Sequence, residues 1–386
     1  MKLLVFSHKI CWKSTYSPTG WATDGGFAMH MDAIASKFEE VKIITAVEAR
    51  RASGEVFFRA KNMSFEPLKE WVDPSNALRV KLVAPFWLLR YSFTFIRLIL
   101  RYDAVHIPLP SHIGLIGFVI SLFLRKKIFV RHCGNWLVPT TFTEKLIKWM
   151  MIKTGGGKRV YFATGGASTP PSNENNTIDW IFSSSMWENE LQHKPEIRNL
   201  EADRPIKLIH VARQEIEKGA IVVIEALPDL LKKYPQLHLT VVGVGLALPL
   251  LQKRVNELKL DAHVHFTGKF NHDGVLNSLS KSDIFCYPTT ASEGFPKVVL
   301  EAMSLGLPII TNPISILANL IPDTGSGLLM EESTSACFSS KLEIILSDAE
   351  LYNTFSKNGM KHAPKYTLEG WANTIYSALN KSWNIG

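Results

Sequence analysis

The sequence predicts an α/β protein with two doubly wound domains, and three observations support this fold class. Short apolar runs of strand length alternate with helix-like runs almost throughout the chain, which is the pattern of parallel βαβ units. The chain has 386 residues, more than one core usually holds. A charged, proline-flanked stretch at 194–204 has no apolar period, and a new strand–helix series begins after it.

The first series predicts an N-terminal domain over residues 1–195. Its strands are runs of mainly β-branched, aliphatic and aromatic residues, which suit a buried pleated surface. We expect these strands at Lys2–Ser7, Val41–Ala46, Val80–Ala84, Ala104–Ile107, Ile128–His132, Val160–Ala163 and Trp180–Ser183. The polar, proline-containing segment 168–176 predicts a surface loop ahead of the last strand.

The second series predicts a C-terminal domain over residues 204–366, followed by a helix within 367–386 at Leu368–Trp383. We expect its strands at Ile206–Ala212, His238–Val242, Val264–Thr267, Ile284–Tyr287 and Pro308–Thr311. Ligands of doubly wound sheets bind outside the carboxyl ends of the strands. Two such domains therefore predict a cleft, and the loops at the strand ends are expected to carry the chemistry.

Composition favours a folded protein without a disulfide framework or a membrane span. Hydrophobic residues make up 46% and charged residues 20% of the chain, which is a globular balance. The four cysteines are far apart and form no Cys-x-x-Cys pair, which predicts free thiols in a reducing compartment. The first strand has no apolar extension resembling a signal peptide, and the longest uncharged apolar run, Ile113–Leu124, is too short to cross a bilayer. We therefore expect a cytoplasmic protein.

The excess positive charge lies in the first half of the chain. Residues 1–200 carry 26 Lys and Arg against 16 Asp and Glu, and 14 of these cations lie at 79–159, where only Asp103 and Glu144 oppose them. That stretch is also rich in large apolar residues. It fits a peripheral contact with the anionic inner face of the cytoplasmic membrane, or solvated helix faces whose Lys and Arg stems cover apolar surface. Because no nucleic-acid-reading motif is present, we expect no nucleic-acid partner.

The most specific segment is YPTTASEGFPKVVLEAMSLGLPII, which runs from Tyr287 to Ile310. A strand ends at Tyr287, a loop follows, and Pro296 fits the first position of a helix, where its missing N–H is tolerated. The free N–H groups and the positive dipole at such a helix start favour a phosphate or a sugar hydroxyl. Glu293 in the loop and Glu301 in the helix could accept hydrogen bonds from two sets of hydroxyls on one extended ligand.

This segment resembles the Glu-x7-Glu motif of retaining glycosyltransferases of the GT-B fold, in particular glycosyltransferase family 4. The likeness covers the Glu-Gly-Phe-Pro start, the Glu-Ala-Met after seven residues and the Gly-x-Pro strand that follows. It implies two Rossmann-like domains facing across a cleft. It also implies that Glu293 meets the sugar of a UDP- or GDP-sugar donor and that Glu301 meets the ribose hydroxyls. The remaining donor-binding residues of the segment would be Gly294, Phe295, Pro296, Lys297 and Val298.

A second element, HVARQEIEKG, follows the opening strand of the C-terminal domain. Departure of a diphosphate builds negative charge, which a fixed arginine and lysine can neutralise. In the resembling family these motif positions bind the diphosphate, which implies that role for Arg213 and Lys218. Ordinary surface cations at a helix start are the alternative, and the helix dipole disfavours them. No Asp-x-Asp occurs in the chain, so we expect no metal and no cofactor beyond the nucleotide-sugar co-substrate.

Two strand ends in the C-terminal domain carry weaker signals. Gly243 and Gly245 resemble the strand-end glycine pair of the family, although a simple tight turn would also explain them. Phe270 ends the segment that, by the same resemblance, holds the nucleotide base.

In the N-terminal domain, Gly25 and Gly26 resemble the family's glycine loop beside the donor phosphates and the acceptor, because paired glycines let backbone approach a ligand closely. His132 resembles the histidine that faces the transferred sugar. A simple turn and a satisfied core histidine are the alternatives for these two features.

The resemblance implies transfer of a sugar from a nucleotide-diphosphate sugar to a hydroxyl of a glycan or lipid-linked acceptor, with retention of configuration. A role in bacterial cell-surface polysaccharide or lipopolysaccharide biosynthesis would follow. One alternative is a nucleotide-sugar epimerase of GT-B fold, which would consume donor without an acceptor. The other is a non-catalytic carbohydrate-binding protein, which would be expected to have lost Glu293, Arg213 or Lys218, and all three are present.

Overall fold

The computed structural model describes residues 1–48, 55–68, 90–134, 136–166, 169, 171–172, 177–191, 205–291 and 295–384. It divides into two compact units. The first unit comprises Met1–Thr164, Thr169–Ile181 and Gly370–Gly386, and the second comprises Gly165–Ser168 and Phe182–Glu369.

The first unit is built on a parallel sheet of seven strands in the order β6-β4-β1-β7-β8-β9-β10. These strands are β1 (Lys2–Phe6), β4 (Glu40–Ala46), β6 (Met63–Leu68), β7 (Ala104–Leu109), β8 (Lys127–His132), β9 (Arg159–Thr164) and β10 (Ile178–Ile181). The strands that follow β1 in the sequence lie on both sides of it in the sheet, as in a Rossmann-like fold. Its central strands are apolar on both faces, which suits a sheet covered by helices on each side.

Three helices pack on one face of this sheet and share a single core. They are α2 (the described residues 90–101), α3 (His112–Phe123) and α4 (Phe142–Thr154). Buried Phe95, Phe118 and Met151, one from each helix, join apolar side chains of the strands in this core. A capping box between Thr141 and Glu144 fixes the start of α4.

A small antiparallel sheet of three strands also belongs to the first unit. It consists of β2 (Cys11–Lys13), β3 (Trp21–Asp24) and β5 (Glu55–Phe57), and helix α1 (Phe27–Ala35) follows β3. The sequence pattern did not predict these strands, because each is only three or four residues long and includes a charged residue.

The second unit has a parallel sheet of six strands in the order β13-β12-β11-β14-β15-β16. Their bounds are β11 (Ile206–Val211), β12 (Leu237–Val242), β13 (Val264–Gly268), β14 (Ile284–Tyr287), β15 (Ile309–Thr311) and β16 (Gly327–Leu329). Its helices are α5 (Ala220–Lys233), α6 (Leu248–Glu257), α7 (His272–Ser280), α8 (Lys297–Ser304), α9 (Leu317–Thr324), α10 (Ser335–Ser347) and α11 (Ala349–His362). Later strands again lie on both sides of the first strand of the unit, β11, so both units are Rossmann-like.

The last helix, α12 (Leu368–Trp383), has the predicted bounds. From Gly370 onward its residues group with the first unit. Trp371 is fully buried there against His30, with ring centroids 4.6 Å apart. Trp383 donates a hydrogen bond from Nε1 to the carbonyl of Lys158 at 2.9 Å.

Every predicted strand that lies in the described residues is confirmed to within two residues at each end. The last strand of the first unit, Ile178–Ile181, begins and ends two residues before the predicted Trp180–Ser183. The strands β6 and β16 were not predicted. The predicted strand at 80–84, the stretch at 194–204 and most of the predicted loop at 168–176 lie outside the described residues. None of the four cysteines forms a disulfide.

Candidate functional site

The carboxyl ends of the adjacent strands β11 and β14 bring two loops of the second unit together. The strands pair in parallel, so the loop after β11 lies beside the loop after β14. The carbonyl of Glu217 accepts hydrogen bonds from the backbone N–H of Thr290 at 2.8 Å and from the hydroxyl of Thr289 at 3.1 Å. The loop that carries Arg213 and Lys218 is thereby fixed to the loop that leads to the Glu-x7-Glu segment.

Arg213 is exposed at the start of the β11 loop, and Lys218 is half-buried at its end. The next residue, Gly219, has φ +83°, and a Cβ there would lie 2.2 Å from the carbonyl oxygen of Pro288. Glycine is therefore required where the two loops meet. Burial lowers the pKa of His210, at the end of β11, to about 4, and the positive charge of Lys218 also lowers it.

The predicted glycine pair after β12 packs against the backbone around Arg213. A Cβ on Gly243, which has φ +120°, would lie 1.9 Å from the carbonyl oxygen of Ala212. A Cβ on Gly245 would lie 2.3 Å from the carbonyl oxygen of Gln214. The two glycines therefore let the β12 loop fix the backbone on both sides of the arginine.

The start of α8 places backbone donors at the same edge of the sheet. Pro296 is the N-cap and Lys297 is the first helical residue, so the prediction that Pro296 takes the first helical position was wrong by one residue. The N–H groups of Lys297 and Val298 belong to the first turn, where no helical carbonyl can accept them. The dipole of α8 adds positive potential there. Glu293 and Gly294 lie outside the described residues.

Glu301 lies one turn into α8 and is buried, with 4% of its surface exposed. Burial raises the pKa of its carboxyl to about 7, while Lys297, one turn earlier, opposes this shift. The Nδ1 of His272 lies 3.3 Å from Oε1 of Glu301. Sequence reasoning missed His272, although its position directly after β13 and Phe270 was a signal that could have found it.

The two predicted aromatic contacts differ in their surroundings. Phe270 follows β13 and is 38% exposed at the carboxyl edge of the sheet. Phe295 packs with Phe182 and Tyr366, at ring-centroid distances of 5.8 Å and 5.7 Å. The ring of Phe295 thus contributes to an aromatic cluster of the second unit, and Phe270 presents the more open ring.

In the first unit, the predicted glycine loop lies at the start of α1. Gly25 has φ +64°, a left-handed conformation that favours glycine, whereas Gly26 caps α1 at an ordinary φ of −74°. A Cβ on Gly26 would meet the ring of His30 at 3.5 Å, an ordinary contact. Beside the loop, Lys9 and Asp24 form an ion pair at 3.0 Å. Only the first glycine is required by backbone conformation.

His132 ends β8 and is almost fully buried, with its ring edge-on against Trp136 at a centroid distance of 5.2 Å. Burial lowers its pKa to about 4, so the ring is neutral at pH 7. Neither ring nitrogen forms a hydrogen bond of good geometry among the described residues, although the backbone of Gly134 is close enough to oppose the lowering of the His132 pKa. The core-histidine alternative therefore fits its burial but leaves its two nitrogens unsatisfied.

A buried basic cluster next to α1 was missed by sequence reasoning. Arg131 is 3% exposed, and its guanidinium lies over the ring of Trp371 at 5.1 Å. Within the described part of the chain, Nε and Nη1 of Arg131 and Nε1 of Trp371 have no hydrogen-bond partner. Burial, assisted by the charge of Arg131, lowers the pKa of His8 to about 3. The cluster thus combines a buried cation with a neutral histidine.

Neither a metal-binding cluster nor a membrane-spanning helix occurs within the described ranges. No three His, Cys, Asp or Glu side chains there lie close enough together to hold a metal ion. No helix in those ranges combines the length and the apolar character that a bilayer span needs.

Comparison with known proteins finds a family match within the second unit. Residues 193–362 match the family model of glycosyl transferases group 1. The phosphatidyl-myo-inositol mannosyltransferase of Mycobacterium tuberculosis is 30% identical over 116 residues, which are 30% of each chain. The match therefore spans less than a third of the length of that relative.

Solved structures similar to this chain cover almost all of it. The Anabaena HepE protein in complex with UDP has a TM-score of 0.64 and 16% identity, over 99% of this chain and 100% of that one. WaaG, a glycosyltransferase involved in lipopolysaccharide biosynthesis, has a TM-score of 0.54 and 13% identity, over 98% of this chain and 99% of that one. These likenesses concern the fold, and the predicted GT-B fold class is confirmed.

Proposed function

We propose that this chain, whose second unit is a group 1 glycosyltransferase domain, transfers a sugar from a UDP- or GDP-sugar to a hydroxyl of a glycan or lipid-linked acceptor. The transfer would retain the anomeric configuration, need no metal, and serve bacterial cell-surface polysaccharide or lipopolysaccharide biosynthesis. The UDP bound to HepE supports a nucleotide-sugar donor, and the names of the mannosyltransferase and WaaG support lipid-linked acceptors.

The observation that carries the proposal is the convergence of unlike groups at one edge of the second sheet. Two cations, the first turn of α8 and a buried carboxyl occupy the loops and helix that follow β11 and β14. A nucleoside diphosphate carries complementary groups along its length. Its phosphate oxygens suit the cations and the N–H groups, and its ribose hydroxyls suit the carboxylate. Such a ligand can engage all of them together.

In the proposed reaction, Arg213 and Lys218 stabilise the diphosphate as its bond to the sugar breaks. Negative charge grows on the leaving oxygen, and fixed cations are most effective where charge develops. Their loop is held from two sides, by the Gly243–Gly245 segment and by the carbonyl contacts of Glu217. Little reorganisation is then needed during the reaction. The same two cations supply the charge that a metal ion would otherwise bring.

Glu301 would accept hydrogen bonds from the two ribose hydroxyls, and Glu293 would meet the transferred sugar. Retention requires the acceptor hydroxyl to attack on the face that the diphosphate leaves. A departing phosphate oxygen can take the proton of that hydroxyl, so no covalent nucleophile from the protein is needed. From the first unit, His132 and the loop of Gly25 and Gly26 are the groups we propose near the sugar and the acceptor.

A lipid-linked acceptor would bring the protein to a membrane surface, and the first unit has a suitable face. Large apolar side chains are exposed on the three helices that cover one side of its sheet: Phe93, Leu100, Phe123, Phe142 and Trp149. A hollow of about 420 Å³ in the same unit is lined by Met1, Asp103 and four cations: Arg125, Lys126, Lys127 and Lys158. Apolar side chains among cations suit anionic lipid, with about 1 kcal/mol available per Lys or Arg near the surface. We propose peripheral contact through this face, with no nucleic-acid partner.

The decisive experiment measures nucleotide release from UDP-, GDP- and ADP-sugars, with and without lipid-linked acceptors. We expect release that depends on an acceptor, persists in EDTA, and yields a product with the anomeric configuration of the donor by NMR. Donor conversion without any acceptor would instead identify an epimerase. Binding of the donor without turnover under any condition would identify a carbohydrate-binding protein.

Variants then test the assigned residues. We expect Lys218→Ala and Glu293→Gln each to reduce kcat by about 10²-fold or more with the fold intact, because each removes a contact to charge or sugar at the reacting centre. Lys232→Ala, which removes an exposed lysine paired with Asp229, is the matched control and should retain full activity. Near-normal turnover of either site variant would contradict the assignment.

A further inference from the structure

His272 of the second unit lies between two carboxylates. It is the first residue of α7, whose start is fixed by a hydrogen bond from the N–H of Gly274 to the side chain of Asn271 at 2.9 Å. Its Nδ1 lies 3.3 Å from Oε1 of Glu301, and its Nε2 lies 3.8 Å from Oε1 of Glu190. The ring therefore bridges the buried carboxylate of α8 and a partly exposed carboxylate on the short 3₁₀ turn Glu188–Leu191.

The state of Glu301 matters for the ligand proposed above. An ionised carboxylate accepts hydrogen bonds at both oxygens, whereas the protonated acid turns one oxygen into a donor. Two ribose hydroxyls that both donate are therefore best met by the ionised form. Burial works against that form, because it raises the pKa of Glu301 to about 7.

The charges around Glu301 do not all favour its ionised form. Lys297 favours it from the preceding turn, and Glu190 disfavours it. A cationic imidazole at 3.3 Å would favour it strongly and would also offset the repulsion between the two glutamates. The other titratable side chains on α7, the 3₁₀ turn and β11 are Asp273, Glu188, Lys207 and the neutral, buried His210.

We propose that His272 is a positioning residue that holds the carboxylate of Glu301 ionised and oriented for the ribose hydroxyls of the donor nucleotide. The carboxylate of Glu190, which lies 3.8 Å from Nε2 without a hydrogen bond to it, places a second negative charge beside the ring. This inference rests on the proposed function, since it assigns His272 to the ribose-binding part of the same site. Its consequence is that donor affinity falls less at mildly acidic pH than it would for a buried carboxyl with no imidazole beside it.

The test measures the Kd of UDP and GDP, both of which carry the ribose hydroxyls, by calorimetry from pH 5.5 to 8.5, together with KM and kcat for the donor. In His272→Ala, Glu301 loses the imidazole whose protonated form opposes protonation of the carboxylate at acidic pH. We therefore expect the Kd and the donor KM to rise about tenfold near pH 6 and to return to the wild-type values by pH 8.5. The kcat should change little, because His272 does not touch the reacting atoms.

Three further variants keep the outcome interpretable. His272→Lys supplies a permanent cation and should restore affinity at pH 6. His265→Ala, which removes an exposed histidine of β13, should leave the pH profile unchanged. Glu301→Gln should weaken nucleotide binding at every pH.

The results separate the two proposals. If Glu301→Gln binds UDP and GDP as wild type does, the ribose role of Glu301 fails and the proposed donor site fails with it. If Glu301→Gln weakens binding but His272→Ala gives no loss, or an equal loss at all pH values, the inference about His272 is overturned and the proposed function stands.

Discussion

Replacement of Gly243 by alanine tests whether the β12 loop holds the arginine loop in place. The new methyl group would lie 1.9 Å from the carbonyl oxygen of Ala212. Non-bonded heavy atoms pack at roughly 3.5 Å, so the two backbone segments must separate by about 1.5 Å. Gly243 also has φ +120°, which L-residues rarely adopt. The backbone conformation costs about 1–3 kcal/mol and the collision a further 1–3 kcal/mol, by order of magnitude.

Thermal unfolding provides the first measurement. A loss of about 4 kcal/mol corresponds to a fall in Tm of roughly 8–16 °C for a unit of this size. Gly268→Ala is the matched control, because Gly268 has φ +71° but no atom within 4 Å of the position that the added methyl group would take. The control isolates the backbone contribution and should cost about 1–2 kcal/mol.

Activity provides the second measurement. Displacement of the Ala212 backbone by more than about 1 Å would misplace the adjacent Arg213, and a misplacement of that size costs about 10²-fold in rate. We therefore expect kcat/KM of Gly243→Ala to fall by about that factor when it is assayed well below its Tm. Equal Tm losses in the two glycine variants, or full activity of Gly243→Ala, would refute the packing role assigned to Gly243.

Three other predictions concern stability and membrane contact. His210 is neutral when folded, with a pKa of about 4 against 6.5 unfolded, so stability should fall as pH drops from 6.5 to 4. In His210→Asn, the free energy of unfolding should fall by up to about 3 kcal/mol less than in the wild type over this pH range, as measured by urea titration. Trp371→Ala should lower the free energy of unfolding by about 3–5 kcal/mol, because it removes a fully buried side chain. Trp149→Ala, at an exposed position, should change it by no more than about 0.5 kcal/mol, and urea unfolding measures both values. The chain should sediment with anionic but not zwitterionic vesicles, and less of it should sediment at high salt. Arg97 and Lys145 are exposed cations of α2 and α4, and the double variant Arg97→Glu/Lys145→Glu should also sediment less. Sedimentation that does not depend on salt would contradict the electrostatic contact.

The sequence was sufficient to predict the fold class because long apolar strands and helix periods are local signals. Both Rossmann-like sheets followed from them, and so did the helix at Leu368–Trp383. The strands β2, β3 and β5 were not predictable in this way, since each is three or four residues long and includes a charged residue, whereas the equally short β14 and β15 contain no charged residue. Their pairing depends on contacts between Trp12, Glu55 and neighbouring segments that are distant in sequence.

The site was predictable only in part, for a related reason. Arg213, Lys218 and Glu301 belong to motifs with fixed spacing, so they could be proposed from the sequence. The contact of Glu301 with His272 joins residues 29 positions apart on different helices, and no spacing rule connects them. The burial that raises the pKa of Glu301 is likewise a property of packing and not of the motif.

The grouping of α12 with the first unit has a consequence for the order in which the protein matures during synthesis. The second unit ends at Glu369, whereas the first unit takes core side chains from Trp371 and Trp383. A ribosome delivers residues in order, so the sheet of the first unit is made well before the helix that fills part of its core. The first unit, although its sheet is translated first, therefore completes its interior only after α12 has been synthesised.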